Sequence, residues 1–361
     1  MARGPADGTS GIAPPACPLL ARRLTAQLLA GRPARSAEAV CARLLAVQAQ
    51  DPRAARLAVR ARTRGLSAAD VDRALTQERS LLVTWVNRGT LHLLRREDYP
   101  LLQALTTPAL RTANTTRLRQ TGVSEAALER GLAAVRAALA QDGPLTRSPL
   151  VERLRAARVP VDGQAFVHIM FRAALDGLIV RGPMQGAHQA YVLLADWMPE
   201  MPAALTALDR DAALADLARR HLIAHAPAED RDLARWAGIS LGAARAGLRA
   251  IADELHERAD GRLELRGQRR RPAPLPPPRL LGPFEELLLG WDSRELVLGP
   301  VAGRVISGGV LRGFALVQGR AVAGWRFEGR EVRLDPYAPL APAVRDALHA
   351  DGAAAAAFLG L

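Results

Sequence analysis

Between Ser36 and Leu94 the hydrophobic period switches from helical to alternating, and that switch limits the folds open to the chain. Ser36 reads as an N-cap, with Val40, Leu44, Leu45 and Val47 following at near-helical spacing, so a first helix is expected to end near Val47-Gln48-Ala49-Gln50. Asp51 reads as the cap of a second helix, with Pro52 at its first position, where a missing N–H costs nothing. Ser67 with Asp70 three residues on resembles a capping box that opens a third helix to about Glu78. Leu82-Val83-Thr84-Trp85-Val86 and Thr90-Leu91-His92-Leu93-Leu94, joined by Asn87-Arg88-Gly89, then read as a β-hairpin. Three short helices followed by a hairpin is the winged-helix pattern.

The pattern recurs. A short helix from Ser148-Pro149, a helix over residues 163–176 and a hairpin from Leu178-Ile179-Val180 and Ala190-Tyr191-Val192-Leu193 form a second copy. Residues 214–223, 230–237 and 240–253, followed by Leu263-Glu264-Leu265, form a third. The copies share architecture more than residues. Arg269-Arg270-Arg271 and the six prolines that follow by Pro283 interrupt the series, and that composition predicts a stiff, extended linker. Beyond it, residues 287–289, 304–306, 314–317, 322–327 and 332–334 read as short strands punctuated by glycine, closed by a helix from about Pro342. The expected fold is α+β, mainly α with small β elements: three tandem winged-helix domains and a small C-terminal β domain. The expected division is an arm without fixed structure at 1–18, winged-helix units at 19–120, 121–205 and 206–268, the linker at 269–283, and the β domain at 284–361.

Charge points to the partner. All 49 basic residues are arginine, against 36 acidic ones, for a net charge of +13. GC-rich codon usage explains arginine in place of lysine, but not the excess of basic over acidic residues. A polyanion, duplex DNA above all, is the expected partner. With only Cys17 and Cys41, neither a disulfide framework nor a cysteine-rich metal site is expected. No apolar run reaches membrane-spanning length and no signal peptide is read, so the expected setting is the cytoplasm, at the nucleoid, with no membrane and no metal or other cofactor. Without long heptads to supply a dimer interface, a monomer is expected.

Gln48 and Gln50 would project roughly 200° apart from a continuous helix, but helix ends loosen, and both could face one cavity. Glutamine amides can position a water and present oxygens to a developing cation, yet cannot act as strong bases. Two polar residues solvating a helix end is the competing reading. The resemblance that decides between them is carried by Val47-Gln48-Ala49-Gln50-Asp51, Trp85-Val86-Asn87-Arg88-Gly89-Thr90-Leu91-His92, Asp232-Leu233-Ala234-Arg235-Trp236-Ala237-Gly238 and Pro283-Phe284-Glu285-Glu286-Leu287-Leu288-Leu289-Gly290-Trp291. In that order, over about residues 20–335, these segments resemble the AlkZ-like DNA glycosylases, which are tandem winged-helix proteins. The family's Gln-x-Gln signature maps onto Gln48 and Gln50, which the resemblance therefore implies to be catalytic. It links this form of the signature to self-resistance against DNA-alkylating antibiotics and to unhooking interstrand crosslinks.

The resemblance also implies DNA-facing roles for Arg88, Thr90 and His92, although a hairpin that packs His92 against its own domain fits equally. Arg53 and Arg56, on the helix after the glutamines, are candidates for phosphate contacts near a lesion, or ordinary surface residues. Asp51 could assist as a base but reads first as a cap. Arg269 to Arg271 could clamp backbone or keep a linker soluble.

Alkylation at purine N7 or N3 leaves a cationic base that departs readily, so amides suffice where a neutral base would need more help. The absence of lysine removes side-chain Schiff-base chemistry, and a monofunctional enzyme that leaves an abasic site is expected. His221 and His225 mimic a zinc-protease spacing, but Leu222 stands where the general-base glutamate is required. A transcription regulator that reads base edges through tandem winged helices, or a chromosome-architecture protein, remains the non-enzymatic alternative.

Overall fold

The computed structural model describes residues 17–361 apart from 187, 269 and 270. The N-terminal arm expected at 1–18 therefore lies, up to residue 16, outside the described residues, as do Arg269 and Arg270 of the basic cluster. Pro18 instead opens a helix, α1 (Pro18–Ala26), which the sequence reading missed.

The first unit follows its caps. The Ser36 hydroxyl accepts from Ala39 N at 3.1 Å and starts α2 (Ala37–Leu44). Leu45 adopts φ +66° and ends that helix earlier than expected. The chain then extends into a two-residue strand, β1 (Val47–Gln48), so Gln48 sits on a sheet edge and not at a helix terminus. Asp51 caps α3 (Pro52–Arg60), and the Ser67–Asp70 capping box opens α4 (Ala68–Thr76). The hairpin is β2 (Leu81–Val86) and β3 (Thr90–Arg95), with Asn87 at φ +54° and Gly89 at φ +81° in its turn.

Next come α5 (Tyr99–Thr106), α6 (Pro108–Gln120), α7 (Glu125–Asp142), α8 (Arg147–Ala156) and α9 (Ala165–Leu175), then the second hairpin, β4 (Ile179–Gln185) and β5 (His188–Leu193). The two hairpins do not stay apart. They join in one antiparallel five-stranded sheet of order β1-β3-β2-β4-β5. After α10 (Leu194–Trp197) and α11 (Met201–Thr206), the third unit forms α12 (Arg210–His225), α13 (Asp230–Ala237), α14 (Leu241–Ala250) and the pair β6 (Leu255–Glu257) and β7 (Leu263–Leu265).

The C-terminal part differs from expectation at its start. The proline-rich stretch ends in an edge strand, β8 (Arg279–Leu281), paired with β11 (Phe314–Val317). Residues 287–289, expected as strand, belong to the helical turn α15 (Glu286–Leu289), because the Glu285 carboxylate caps it by accepting from Leu287 N. After α16 (Glu295–Leu298), residues 304–305 fall in α17 (Ala302–Val305), and only then does the short pair β9 (Ile306–Ser307) and β10 (Val310–Leu311) form. The main sheet, β13-β12-β11-β8, uses β12 (Arg320–Glu328) and β13 (Glu331–Pro336), and α18 (Pro342–Leu359) packs on it. Asp351 of α18 accepts from Leu280 N at 2.7 Å and pairs with Arg60 at 2.6 Å, which ties this part to α3.

The first hairpin is buried on both faces, and strand alternation assigns each face to a different core. Leu81, Val83, Trp85, Leu91 and Leu93 pack with Phe166 and Ile169 of the second unit. Leu82, Val86 and Leu94 pack with Leu222 and Trp236 of the third unit and with Leu288, Trp291 and Phe314 of the C-terminal part. That second face is the one that carries the site. A buried ion pair braces it: Arg62 and Glu285 are both wholly buried, and Arg62 also donates to Gln27 O at 2.8 Å and Gln27 Oε1 at 2.9 Å.

Removing one member of a buried pair strands the other charge, whereas removing both does not. Arg62→Met is therefore expected to cost about 3–5 kcal/mol in urea denaturation, and Arg62→Met with Glu285→Leu to recover most of that loss.

Candidate active site

Register brings the site together. Gln48 on β1 stands opposite His92 on β3, and His92 stands opposite Thr84 on β2, so the three side chains share the face turned toward the third unit and the C-terminal part. Gln48 is 6% exposed, while Gln50, two residues on, is exposed. The pair thus straddles the boundary between core and surface.

Each amide has a fixed orientation. Arg88 Nη2 donates to Gln48 Oε1 at 3.2 Å, and because arginine only donates, the amide oxygen must face it and the amino group must face away. Leu91 N donates to Gln50 Oε1 at 3.3 Å, which orients the second amide by the same rule. The sequence reading turned both oxygens toward the reaction. In the structure each oxygen already accepts one protein donor, leaving it one lone pair, with the amino group beside it.

Arg88 lies in the hairpin turn and donates through Nη1 to the carbonyl of Trp236, in the last turn of α13. Gly238 follows at φ +71°, so close to the turn that a Cβ there would sit 2.7 Å from Asn87 O. Glycine is required both for the backbone conformation and for the approach. Burial lowers the pKa of Arg88 from its ordinary value, and the nearby Glu286 works against that shift. Glu286 accepts from Gln48 N at 2.6 Å, so the outward N–H of an edge strand is satisfied by a carboxylate.

The other expected residues are placed as follows. Asp51 Oδ1 accepts from Arg53 N at 2.8 Å and Ala54 N at 3.3 Å, which is the cap role. Arg53 is exposed. Arg56 is only 9% exposed, ion-paired to Asp72, and donates to Pro52 O at 2.8 Å, so its charge is engaged within the protein and not offered to a phosphate. His92 is 1% exposed with Nδ1 2.9 Å from Thr90 O, and burial lowers its pKa to about 3. The Thr90 hydroxyl is buried too. Thr90 and His92 therefore turn their polar groups inward, because strand alternation puts them on the face covered by the third unit, and Arg88 in the turn is drawn inward by Trp236 O and Gln48 Oε1. Arg271, the one described member of the basic cluster, is exposed.

Behind the glutamines lies a layer that sequence reasoning did not resolve. His221 and His225 stack with ring centroids 4.6 Å apart, Trp236 and Trp291 pack against His225, and Trp291 Nε1 donates to His225 O at 2.9 Å. Trp236, Trp291 and Glu286 lie in two of the segments that carried the family resemblance, which was the only signal for them, whereas His221 and His225 stood out only by their i, i+4 spacing. Among the described residues no three His, Cys, Asp or Glu side chains converge to hold a metal ion, and no helix is long and apolar enough to cross a membrane.

With this geometry in view, comparison with known proteins is decisive. The family model described as "DNA glycosylase AlkZ-like" matches residues 41–358. The chain belongs to the AlkZ-like DNA glycosylase family. It is 30% identical to the interstrand DNA cross-link repair glycosylase of Streptomyces sahachiroi, over 88% of this chain and 90% of that one. Its fold matches the solved structure of Streptomyces sahachiroi DNA glycosylase AlkZ with a TM-score of 0.72 and 26% identity, over 94% of this chain and 96% of the other. The chain is thus a DNA glycosylase of α+β fold, as the sequence led one to expect.

The buried histidines give the fold a pH signature. His92 and His221 take a proton near 6.5 when unfolded but only at about 3 when folded, and His225 is shifted well below 6.5 by the same burial. The unfolded state binds more protons between those values, so stability is lost as pH falls from 6.5 toward 3. Glu286, raised from 4.5 to about 7, opposes this by one proton and is outnumbered. Urea midpoints should fall between pH 7 and pH 4.5, and His92→Gln should flatten the fall.

Proposed function

We propose that this glycosylase hydrolyses the N-glycosidic bond of purines alkylated at N7 or N3, including bulky antibiotic adducts and interstrand crosslinks, and leaves an abasic site. The observation that carries the reading is the Gln48 amide, fixed by Arg88 at the edge of the core beside the exposed Gln50, in a chain without lysine. The relative named for interstrand cross-link repair supports the substrate class.

The chemistry needs little from the protein. The C1′–N bond breaks with both electrons passing to the base, which arrives cationic and leaves neutral. The sugar becomes an oxocarbenium ion, a water oxygen bonds to C1′, and the water's proton passes to solvent. Gln48 and Gln50 each retain a lone pair and an amino group, enough to hold that water by hydrogen bonds and to face the cation with an amide dipole. Rate enhancement comes from positioning and electrostatics, not from a strong base. A neutral base lacks the activated leaving group, so the amides themselves favour charged lesions.

The partner is duplex DNA, engaged by a monomer at the nucleoid in the cytoplasm. The exposure of Arg53, about one turn beyond the glutamines, supports a phosphate contact for it. Because one glutamine lies at the surface, a bulky or tethered adduct can be attacked without full extrusion of the base.

The test is release of free base from a duplex bearing N7-methylguanine or a crosslink. Wild type should release base and leave alkali-labile abasic sites without nicking the strand. Gln48→Ala and Gln50→Ala should each lower release by about a hundred-fold. Asp51→Asn, which keeps the cap, should stay within about three-fold of wild type, and a larger loss would assign Asp51 the assisting role. Sequence-specific binding with no base release by wild type would favour the transcription-regulator reading.

A further inference from the structure

Arg88 creates an electrostatic problem for the reaction proposed above. Its guanidinium touches the oxygen of Gln48, yet the lesion and the sugar that follows are both cations. A like charge beside the reacting centre raises the barrier unless an anion offsets it. Glu286 is placed to do so. It is 1% exposed, its Oε1 accepts from Gln48 N at 2.6 Å, and its Oε2 has no partner among the described residues.

We propose that Glu286 is a positioning residue for the reaction: its carboxylate pins the strand that carries Gln48 and, when ionised, offsets the Arg88 charge so that cationic substrate is accepted at the amide. This rests on the reading of the site as a glycosylase for cationic purines.

The groups around Glu286 make the offset pH-sensitive. Arg88 faces it from the hairpin turn, Arg62 from just beyond α3, the Gln48 peptide from β1, Cys41 from α2, and Glu285 from its own turn. Burial pushes the Glu286 carboxyl up to about 7, against the pull of Arg88, the Gln48 N–H and Arg62. Burial raises the Cys41 thiol far above its ordinary range, so it does not change charge near neutrality alongside Glu286, and the Glu285 carboxylate is paired with Arg62. His92 at about 3 and His225 well below its ordinary value stay neutral there as well. Above pH 7 the carboxylate is ionised and balances Arg88. Below it, the site carries one uncompensated positive charge and release slows.

The experiment is single-turnover base release by the full chain from an N7-methylguanine duplex between pH 5.5 and 9, corrected for spontaneous loss. Duplex affinity and circular dichroism are measured on the same samples. Wild type should rise on the order of ten-fold through an inflection near pH 7, the equivalent of about one pKa unit of interaction. Glu286→Gln keeps the acceptor for Gln48 N but not the charge. It should be about ten-fold slower at pH 8, with a flat pH profile and unchanged duplex affinity.

A flat wild-type profile overturns the proposal, as does a Glu286→Gln variant that keeps both the wild-type rate and the inflection. Should that variant lose its folded circular dichroism, the wild-type profile decides alone. Absence of base release by wild type at every pH refutes the substrate reading instead, and this proposal with it.

Discussion

Arg88 joins three parts of the chain that are distant in sequence. It sits in the turn of the first hairpin, donates to the last-turn carbonyl of α13 in the third unit, and donates to Gln48 on the edge strand. A carbonyl at a helix C-terminus carries excess negative potential, so it is a favourable partner for a partly buried cation. The close approach of Gly238 to Asn87 is what lets the two elements come near enough for that contact. From this one side chain follow the orientation of the Gln48 amide and the closure of the third unit over the hairpin, with the Glu286 carboxylate on the other side of the Gln48 peptide.

The polar layer beneath the site is costly to bury, and the structure distributes its charges accordingly. Arg62 and Glu285 neutralise each other with neither exposed, while Arg88 and Glu286 form a looser arrangement across the Gln48 peptide. The histidines avoid the cost by remaining neutral. A layer of this kind defines how the first unit, third unit and C-terminal part fit, because any displacement strands a buried charge. It also explains why the first hairpin is buried on both faces: one face belongs to the core of the second unit, the other to the layer that serves the glutamines.

What could be read from the sequence was local. Ser36, Asp51 and the Ser67–Asp70 box announced their helices because capping is decided within four residues. Asn87-Arg88-Gly89 announced its hairpin because the turn demands positive φ. The strand at Val47–Gln48 was hidden: Leu45 breaks the helix in a conformation no leucine advertises, and the strand exists only through β3 and Glu286, the latter 238 residues away. Arg56 read as a phosphate contact or an ordinary surface residue because its partner Asp72 lies on the next helix, where sequence spacing does not reveal it. Residues 287–289 have strand-like composition, but Glu285 caps them as a helical turn. The family resemblance supplied the order of the motifs and the identity of the glutamines. It did not supply which way their amides point.

The central claim is that Arg88 serves the reaction through the amide of Gln48. A double-mutant cycle on single-turnover base release at saturating protein tests it directly, using Arg88→Met, Gln48→Ala and the combination. If the claim holds, Arg88→Met slows wild type markedly but changes the Gln48→Ala enzyme by no more than about two-fold. Losses that multiply in the double variant would show that Arg88 acts independently of Gln48, and would contradict it.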